Sequence, residues 1–287
     1  MRGAEPSEPS DRPVAGRLVA VGGLKGGCGR TTLAVGLLGA AAEAGHRSLL
    51  FDADRAGAAA AWLRRGPLAE VALARPLDGP EALRGWLEAV AAARAAADLV
   101  LLDLPPADPV PLVAAALAAD LVLLPVAPTG LELEAARATL GWLERARARR
   151  GPELPRLAVV PTRLAVLNPA ARDHEDRLAP LGAPLTPPLR LRPGHERAFA
   201  QGLPVARAAP GSPEDQELRA IAAWLARSLG LADQLPAPAV GPPAIEGAAA
   251  VRVGYLAEPP GTCGPLDLSA YGRRLRDRLV PSFLRRG

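Results

Sequence analysis

The sequence predicts an α/β fold in which a mainly parallel β-sheet is covered by helices on both faces. Within residues 17–230, short apolar runs alternate with helical segments, which is the order of parallel strands and crossover helices. A glycine-rich turn follows the first apolar run, and two later runs end in the carboxylates Asp52 and Asp103. Because open sheets of this kind bind ligands beyond the carboxyl ends of their strands, these residues mark the expected functional edge.

Each expected strand is a short apolar run, which is typical of strands that are buried on both faces. The strands are expected to begin near Leu18, Ser48, Val71, Leu99, Leu121, Leu157 and Pro184. The helices are expected over residues 31–44, 57–65, 80–96, 130–150, 169–181 and 213–229.

Composition limits the class of protein. The chain has 287 residues, of which 49% are hydrophobic, and this is enough for one substantial core. No run of about 18 uncharged apolar residues occurs, so we expect no membrane-spanning helix. Residues 1–16 are polar and lack the apolar centre of a signal peptide, so we expect a disordered N-terminal segment. The two cysteines, Cys28 and Cys263, make no disulfide framework, which favours the cytoplasm.

The C-terminal part, residues 231–287, has a different composition. Its first 20 or so residues are rich in proline and alanine, which is typical of a linker. The last 17 residues contain six arginines and one aspartate, and apolar side chains recur there at roughly helical spacing. The rest of the chain has 28 arginine and lysine residues against 29 acids, so the basic excess lies in this tail. The tail is expected to contact DNA, an anionic membrane or an acidic protein, or to pack back on the domain.

The glycine-rich turn has the composition of a phosphate-binding loop. Residues 22–32 read GGLKGGCGRTT and contain Lys25, the only lysine in the chain. Glycines allow positive φ and a close approach of the backbone to a ligand, and consecutive N–H groups followed by a helix N-terminus attract anions. The hydroxyl of Thr31 is placed to bind Mg²⁺, and that of Thr32 is placed to bond the α-phosphate.

The turn departs from the standard P-loop pattern G-x-x-x-x-G-K-[ST] at Leu24 and Arg30. It resembles the deviant P-loop of the ParA/MinD ATPases, K-G-G-x-G-K-[ST]-[ST]. In that family the early lysine reaches across a nucleotide-sandwich dimer to the partner's phosphates, and the resemblance gives this catalytic role to Lys25. It also implies an ATP-binding loop formed by Gly26, Gly27, Cys28, Gly29, Arg30, Thr31 and Thr32.

Arg30 stands where this family has a second lysine. Arginine keeps the positive charge but carries a wider, planar group than the lysine ammonium. Slow ATP hydrolysis and nucleotide binding without turnover therefore both remain open.

The acids at the strand ends match further segments of the same family. Asp52 and Asp54 form a D-x-D motif, and residues 98–106 match the Walker B segment D-x-x-x-x-D-x-P-P. By resemblance Asp54 orients the attacking water, whereas Asp52 and Asp103 hold Mg²⁺ through water together with Thr31.

The sequence gives weaker evidence for the residues that contact the nucleotide base. The segment that contains Thr162 lacks the aspartate with which related folds bind guanine, which favours adenine, and Thr162 is the candidate contact. ParA relatives bind DNA non-specifically through basic residues on late helices. The candidates in this region are Arg190, Arg192, Arg197, Arg219 and Arg227.

The resemblance covers residues 17–230 and implies a ParA-type ATPase of the P-loop NTPase fold. Such a protein forms a homodimer with ATP and Mg²⁺, binds DNA non-specifically, and is stimulated by a ParB-like protein while it partitions plasmid, chromosome or protein cargo. It would be cytoplasmic, and nucleoid-associated when bound to DNA. The alternatives are a MinD-like membrane switch that uses the tail, a nucleotide-bound scaffold with little turnover, and an amidoligase or synthetase on the same scaffold, against which Lys25 argues.

Overall fold

The computed structural model describes residues 16–77, 79–150, 155–165 and 173–231. They form one seven-stranded sheet in which every strand pair is parallel, in the order β3-β2-β4-β1-β5-β6-β7. The strands are β1 (Arg17–Val21), β2 (Ser48–Asp52), β3 (Ala72–Ala74), β4 (Leu99–Asp103), β5 (Leu121–Val126), β6 (Arg156–Ala165) and β7 (Leu189–Leu191). The prediction of a parallel sheet is confirmed.

Helices connect these strands. They are α1 (Arg30–Glu43), α2 (Ala58–Leu63), α3 (Leu83–Ala96), α4 (Pro109–Ala118), α5 (Gly130–Arg150), α6 (His174–Leu178), α7 (Gly194–Gln201), α8 (Val205–Ala208) and α9 (Pro213–Leu229). Short 3-10 turns lie at Ala69–Val71, Pro80–Ala82 and Ala179–Leu181. Among these helices, none is long and apolar enough to cross a membrane.

Both faces of the sheet are buried, which explains why its strands are apolar without alternation. In β1, Val19 and Val21 pack with α1, α2 and α9 on one face. Leu18 and Ala20 pack with α3, α4 and α5 on the other. The core is made largely of leucine, valine and alanine, as the scarcity of aromatic residues implies.

Several elements differ from the expectations, among them the short helix α8, which was not predicted. Helix α4 was not predicted, although Asp108 caps it by accepting from the N–H of Val110 and Pro109 occupies a first-turn position that needs no intrahelical donor. The last strand begins at Leu189, whereas the run near Pro184 supplies only one isolated bridge, between Leu185 and Val159. Strand pairing there is brief because two prolines, at positions 187 and 188, interrupt the segment.

The predicted N-terminal segment and tail lie outside the described residues, apart from their innermost positions. Gly16 is part of the folded domain, since its N–H donates to the carbonyl of Arg94 at 2.8 Å. A Cβ at this position would lie 1.8 Å from the carbonyl oxygen of Ala97, so only glycine fits. The folded domain therefore includes Gly16, one residue before the predicted boundary.

Candidate functional site

The strand register brings the glycine-rich turn and the carboxylates together. Strand β4 lies between β1 and β2, with Asp103 paired to both Val21 and Asp52. The turn begins directly after Val21. The two acids predicted from separate segments are therefore neighbours at the carboxyl edge of the sheet, beside the loop formed by residues 22–29.

The loop depends on its glycines in two different ways. Gly27 and Gly29 have φ values of 74° and 94°, and a Cβ at either position would meet nothing within 4 Å, so backbone conformation is what requires glycine. Gly22 and Gly23 are required for space, because a Cβ would lie 2.7 Å from Leu104 and 2.9 Å from Leu124 respectively. The loop is thus tightly packed on the sheet where it starts and open where it turns into α1.

Arg30 points back into the loop. The side chain is buried, and its Nη1 donates to the carbonyl oxygens of Gly23 at 3.0 Å and Lys25 at 2.6 Å. These bonds hold the guanidinium against the backbone on the inner side of the loop. The loop therefore accommodates the wide guanidinium group of arginine. To contact a phosphate, this group would have to break its hydrogen bonds to the two carbonyl oxygens.

Lys25 lies on the same loop but is held differently. Its Nζ is 3.1 Å from Oε1 of Glu132 in the first turn of α5. The Lys25 side chain is 40% exposed, whereas that of Glu132 is 6% exposed. Helix α5 also holds the neighbouring residue, since Thr139 accepts from the N–H of Leu24 at 3.2 Å. The ammonium group consequently stands at the surface of the loop, over a buried counter-ion.

Asp103 and Thr31 have a geometry that suits a divalent cation. The Thr31 hydroxyl donates to Oδ2 of Asp103 at 2.8 Å, while Oδ1 is buried and has no hydrogen-bond partner among the described residues. Burial raises the pKa of Asp103 to about 7, the Thr31 hydrogen bond opposes the shift, and the charges of Asp52 and Asp54 add to it. A cation at this point would relieve both the missing partner and the electrostatic cost.

Asp52 and Asp54 have partners on the segment that leads into α2. Asp52 is fully buried, and its two oxygens accept from the N–H groups of Asp54 and Ala60 at 3.1 and 2.9 Å. Burial raises the pKa of Asp52, and these hydrogen bonds oppose the shift. Asp54 is partly exposed and accepts from the N–H of Ala56 at 2.9 Å. Asp52 therefore fixes this segment, and Asp54 lies nearer the surface.

A cavity of about 420 Å³ adjoins the loop on the side of β6 and β7. Its walls include Thr31, Thr32, Thr162, Arg163, His195 and Phe199. Thr162 is 2% exposed, and its hydroxyl has no hydrogen-bond partner among the described residues. The predicted base-contact residue thus lines a space that is continuous with the loop.

Cys28 lines the same cavity but lacks the environment of a reactive thiol. It is 2% exposed, and burial raises the pKa of its thiol despite the opposing charge of Arg30. A raised pKa keeps the sulfur protonated and unreactive at neutral pH.

The five predicted DNA-binding arginines, Arg190, Arg192, Arg197, Arg219 and Arg227, are named the late arginine surface below. Glu217 binds two of them: it accepts from Arg190 at 3.0 Å and from Arg192 at 2.9 Å. Arg219 pairs with the buried Asp215 at 2.9 Å. Arg197 and Arg227 are exposed, and neither forms an ion pair with another described residue. The structure therefore separates three arginines that form ion pairs, with two acids between them, from two that form none with another described residue.

Sequence reasoning missed Glu132 and Arg163, each of which touches the loop. Glu132 had a usable signal, because it is an acid in the first turn of the helix that follows β5. For Arg163, the only signal in the sequence was its position directly after Thr162. Its Nη1 donates to the carbonyl of Gly27 at 3.2 Å, a contact that depends on an irregularity in β6 that periodicity does not reveal.

Comparison with known families gives one match. Residues 19–205 match the family described as the CobQ/CobB/MinD/ParA nucleotide binding domain. This match spans the loop, both carboxylate segments and the cavity. No curated protein sequence matches the chain.

Several solved structures share the fold. A variant of McdA from Cyanothece in complex with ATP is 14% identical, with a TM-score of 0.57 over 76% of this chain and 98% of that one. The septum site-determining protein MinD from Pyrococcus horikoshii, complexed with Mg-ADP, is 19% identical, with a TM-score of 0.59 over 75% and 98%. Cobyrinic acid a,c-diamide synthase from Mycobacterium smegmatis, with an ATP analogue and magnesium, is 21% identical, with a TM-score of 0.60 over 77% and 98%.

Proposed function

The chain belongs to the CobQ/CobB/MinD/ParA family of nucleotide binding domains, and from this premise we propose that it is a ParA-type ATPase that dimerises around ATP. The observation that carries the proposal is Lys25, which stands at the surface of the loop with its Nζ on a single counter-ion, Glu132. A partly exposed lysine on a phosphate loop can reach the nucleotide of a second molecule as well as its own. The synthetase-like members of this fold lack such a lysine, so Lys25 favours the dimerising ATPases over them.

Nucleotide and Mg²⁺ fit the residues that are present. The buried, unpartnered Oδ1 of Asp103 beside the Thr31 hydroxyl is the type of oxygen donor that Mg²⁺ prefers. Among the described residues no group of three or more histidine, cysteine, aspartate or glutamate side chains could hold a metal ion, and Mg²⁺ in phosphate sites is usually held by few carboxylates together with phosphates and water. When bound, the ion would neutralise phosphate charge.

Residues of the chain itself would bind the phosphates and the base and orient the attacking water. The loop backbone and the start of α1 would bind the phosphates, and Thr32 would bond the α-phosphate. Asp54, which is partly exposed and close to the edge, would orient the attacking water. Thr162, which lines the cavity, would contact the base. Lys25 would leave Glu132 and bind the phosphates of the partner.

We extend the proposal to DNA and to an activator. Arg197 and Arg227 are exposed on the late arginine surface, and non-specific DNA binding requires no more than accessible cations. A ParB-like protein would stimulate hydrolysis, and the cargo would be a plasmid, a chromosome or a protein cluster. Residues 231–287, with the basic excess at their end, would form a separable contact element for an acidic partner.

The second candidate is a nucleotide-bound scaffold with little turnover. Arg30 favours it, because its guanidinium is bonded to the carbonyls of Gly23 and Lys25 rather than directed away from the loop. A MinD-like membrane switch is a further candidate that rests on the basic tail alone. The apolar residues of the tail include Leu275, Leu279 and Phe283, and Pro281 lies between the last two.

The proposal is tested by binding of the purified full-length protein to long DNA of mixed sequence and to vesicles with anionic lipids. Each binding reaction is run with Mg-ATP, with Mg-ADP and without nucleotide, over a range of salt concentrations. A partition ATPase binds DNA only with Mg-ATP and loses affinity steeply with salt. Nucleotide-dependent binding to vesicles alone would support the membrane switch. Equal DNA affinity in all nucleotide states would contradict dimer-gated binding.

A further inference from the structure

Strained backbone occurs at two places that adjoin the phosphate loop. In the part of the chain that the structure describes, two residues other than glycine have positive φ: Ala107 at 59° and Arg163 at 56°. Each binds a loop carbonyl. The N–H of Ala107 donates to Leu24 at 2.9 Å, and Nη1 of Arg163 donates to Gly27 at 3.2 Å. The left-handed region is unfavourable for residues with a Cβ and persists chiefly where surrounding structure enforces it, often at functional sites.

The strain at Arg163 has an identifiable origin in the sheet. The register between β6 and β7 shifts at this residue, with Thr162 paired to Leu189 and Leu164 paired to Arg190. Arg163 is therefore the extra residue of a bulge, a device that redirects a side chain out of the strand pattern. The bulge takes Arg163 out of the ladder with β7 and leaves its guanidinium on the loop.

The carbonyl that Arg163 binds belongs to an open part of the loop. Gly27 has a φ of 74°, and a Cβ built there would meet nothing within 4 Å, so no atom packs against that side of the residue. The following peptide is planar and trans, so a flip would exchange the directions of its carbonyl and its N–H. A carbonyl turned toward bound phosphate repels it. A hydrogen bond from Arg163 holds that carbonyl in one direction.

We infer that Arg163 is a positioning residue, which fixes the Gly27 carbonyl away from bound phosphate and so preorganises the loop for nucleotide. The inference rests on the proposed function, since it requires the loop to bind phosphates. Arg163 acts through Gly27 and need not touch the nucleotide. It complements Arg30, which binds the carbonyls of Gly23 and Lys25, so that three alternate carbonyls of the loop are held by two arginines.

Substitutions at Arg163 separate this role from a structural one. Arg163→Gly removes the bond but suits a positive φ, so relief of strain offsets the added chain freedom and the thermal midpoint should hardly change. Arg163→Lys keeps a donor of similar reach. Arg84→Ala, on α3 at an exposed position away from the cavity, is the matched control for loss of a surface arginine.

The measurement is calorimetric titration of the full-length protein with Mg-ATP and with magnesium tripolyphosphate, which has no base. We expect Arg163→Gly to lose about five- to tenfold in affinity for both ligands, the size of one hydrogen bond. Arg163→Lys should stay within about twofold of the wild type, and Arg84→Ala should match it.

Other outcomes overturn the inference in distinguishable ways. A loss confined to ATP would make Arg163 a base contact, and a loss accompanied by a lower thermal midpoint would make it structural. Unchanged affinity of Arg163→Gly, or equal weakness of the lysine variant, would remove the positioning role while leaving the proposed function intact. A wild type that binds neither phosphate ligand would overturn both.

Discussion

The phosphate loop and the late arginine surface both carry several cations, but they differ in the acceptors that bind them. At the loop, Arg30 is 8% exposed and bonded to two backbone carbonyls, and Lys25 stands over a carboxylate that is 6% exposed. On the late arginine surface, Arg190 and Arg219 are bonded to carboxylates instead, and their side chains are 36% and 45% exposed, close to the 40% of Lys25. Three of the five cations there form ion pairs, with two acids between them.

The difference sets the size of the effects to be expected. Removing one partner of a buried pair leaves a charge without compensation and costs about 3–5 kcal/mol. An exposed pair contributes about 0–1 kcal/mol and is screened by salt. Substitutions of the buried Arg30 and Asp103 should therefore act strongly and on nucleotide, whereas those of the exposed Arg197 and Arg227 should act weakly and on an acidic partner.

The largest effect is expected from Asp103→Ala. The substitution removes a buried carboxylate that bonds Thr31 and has one oxygen without a partner, so affinity for Mg-ATP should fall by about 10–100-fold, as for groups that hold a metal through water. Asp54→Ala serves as the control and should reduce hydrolysis while leaving binding almost unchanged. Titration with fluorescent ATP, with and without Mg²⁺, measures binding by both variants, and phosphate release measures hydrolysis. Equal small effects of the two substitutions would contradict the different roles given to these acids.

A second prediction concerns pH and stability without nucleotide or Mg²⁺. The folded pKa of Asp103, about 7, lies above its ordinary value of 3.8, so the folded state binds a proton more tightly than the unfolded state does. Stability from this group is complete below about pH 4 and is lost as pH rises toward 7. Urea unfolding should therefore show a falling free energy of unfolding between about pH 5 and pH 7. Asp103→Asn should flatten that part of the profile, and the same slope in both proteins would count against the assignment.

A third prediction concerns Arg30. Lysine at this position would replace the fork that is bonded to Gly23 and Lys25 by a narrow ammonium that can reach the transferring phosphate. Arg30→Lys should raise basal ATP hydrolysis by about tenfold, well below the roughly 10³–10⁵-fold effect of a newly supplied cation on phosphoryl transfer, because Arg30 already carries the charge. Phosphate release under single-turnover conditions checks this. A slower variant would mean that the loop is built around the guanidinium.

The smallest effects are expected on the late arginine surface. Arg197→Ala and Arg227→Ala should each reduce the slope of log affinity against log salt concentration by about the amount expected for one phosphate contact. Both side chains are exposed, and neither forms an ion pair with another described residue. Arg190→Ala should change it less, since Glu217 already binds that arginine. Affinity measured by fluorescence anisotropy at several salt concentrations distinguishes them. A larger change for Arg190 than for Arg197 would reverse the comparison between paired and available cations.

Much of the fold was predictable because short stretches of sequence determine its strands and loops. The run that ends at Asp103 and the turn that contains Lys25 each specify a strand end or a loop without reference to distant residues. The chain order of strands and helices then implies a parallel sheet, which brings Asp52 and Asp103 to one edge.

What was missed depends on contacts between distant segments. Glu132 matters only because α5 packs beside the loop, and Arg163 only because a bulge in β6 redirects it onto Gly27. The pairing of Arg190 and Arg192 with Glu217 joins residues 25 or more positions apart. Charge counts in the sequence could nominate these arginines but could not tell which of them form ion pairs.

The central claim is that Lys25 acts across an ATP-bound dimer, and sedimentation velocity tests it most directly. The full-length wild type, Lys25→Ala and Arg84→Ala are compared with Mg-ATP and with Mg-ADP, in an Asp54→Ala background that slows hydrolysis. We expect Lys25→Ala to bind ATP with nearly normal affinity but to remain a monomer, whereas the other two proteins should dimerise with Mg-ATP and not with Mg-ADP. A normal ATP-dependent dimer formed by Lys25→Ala would contradict it.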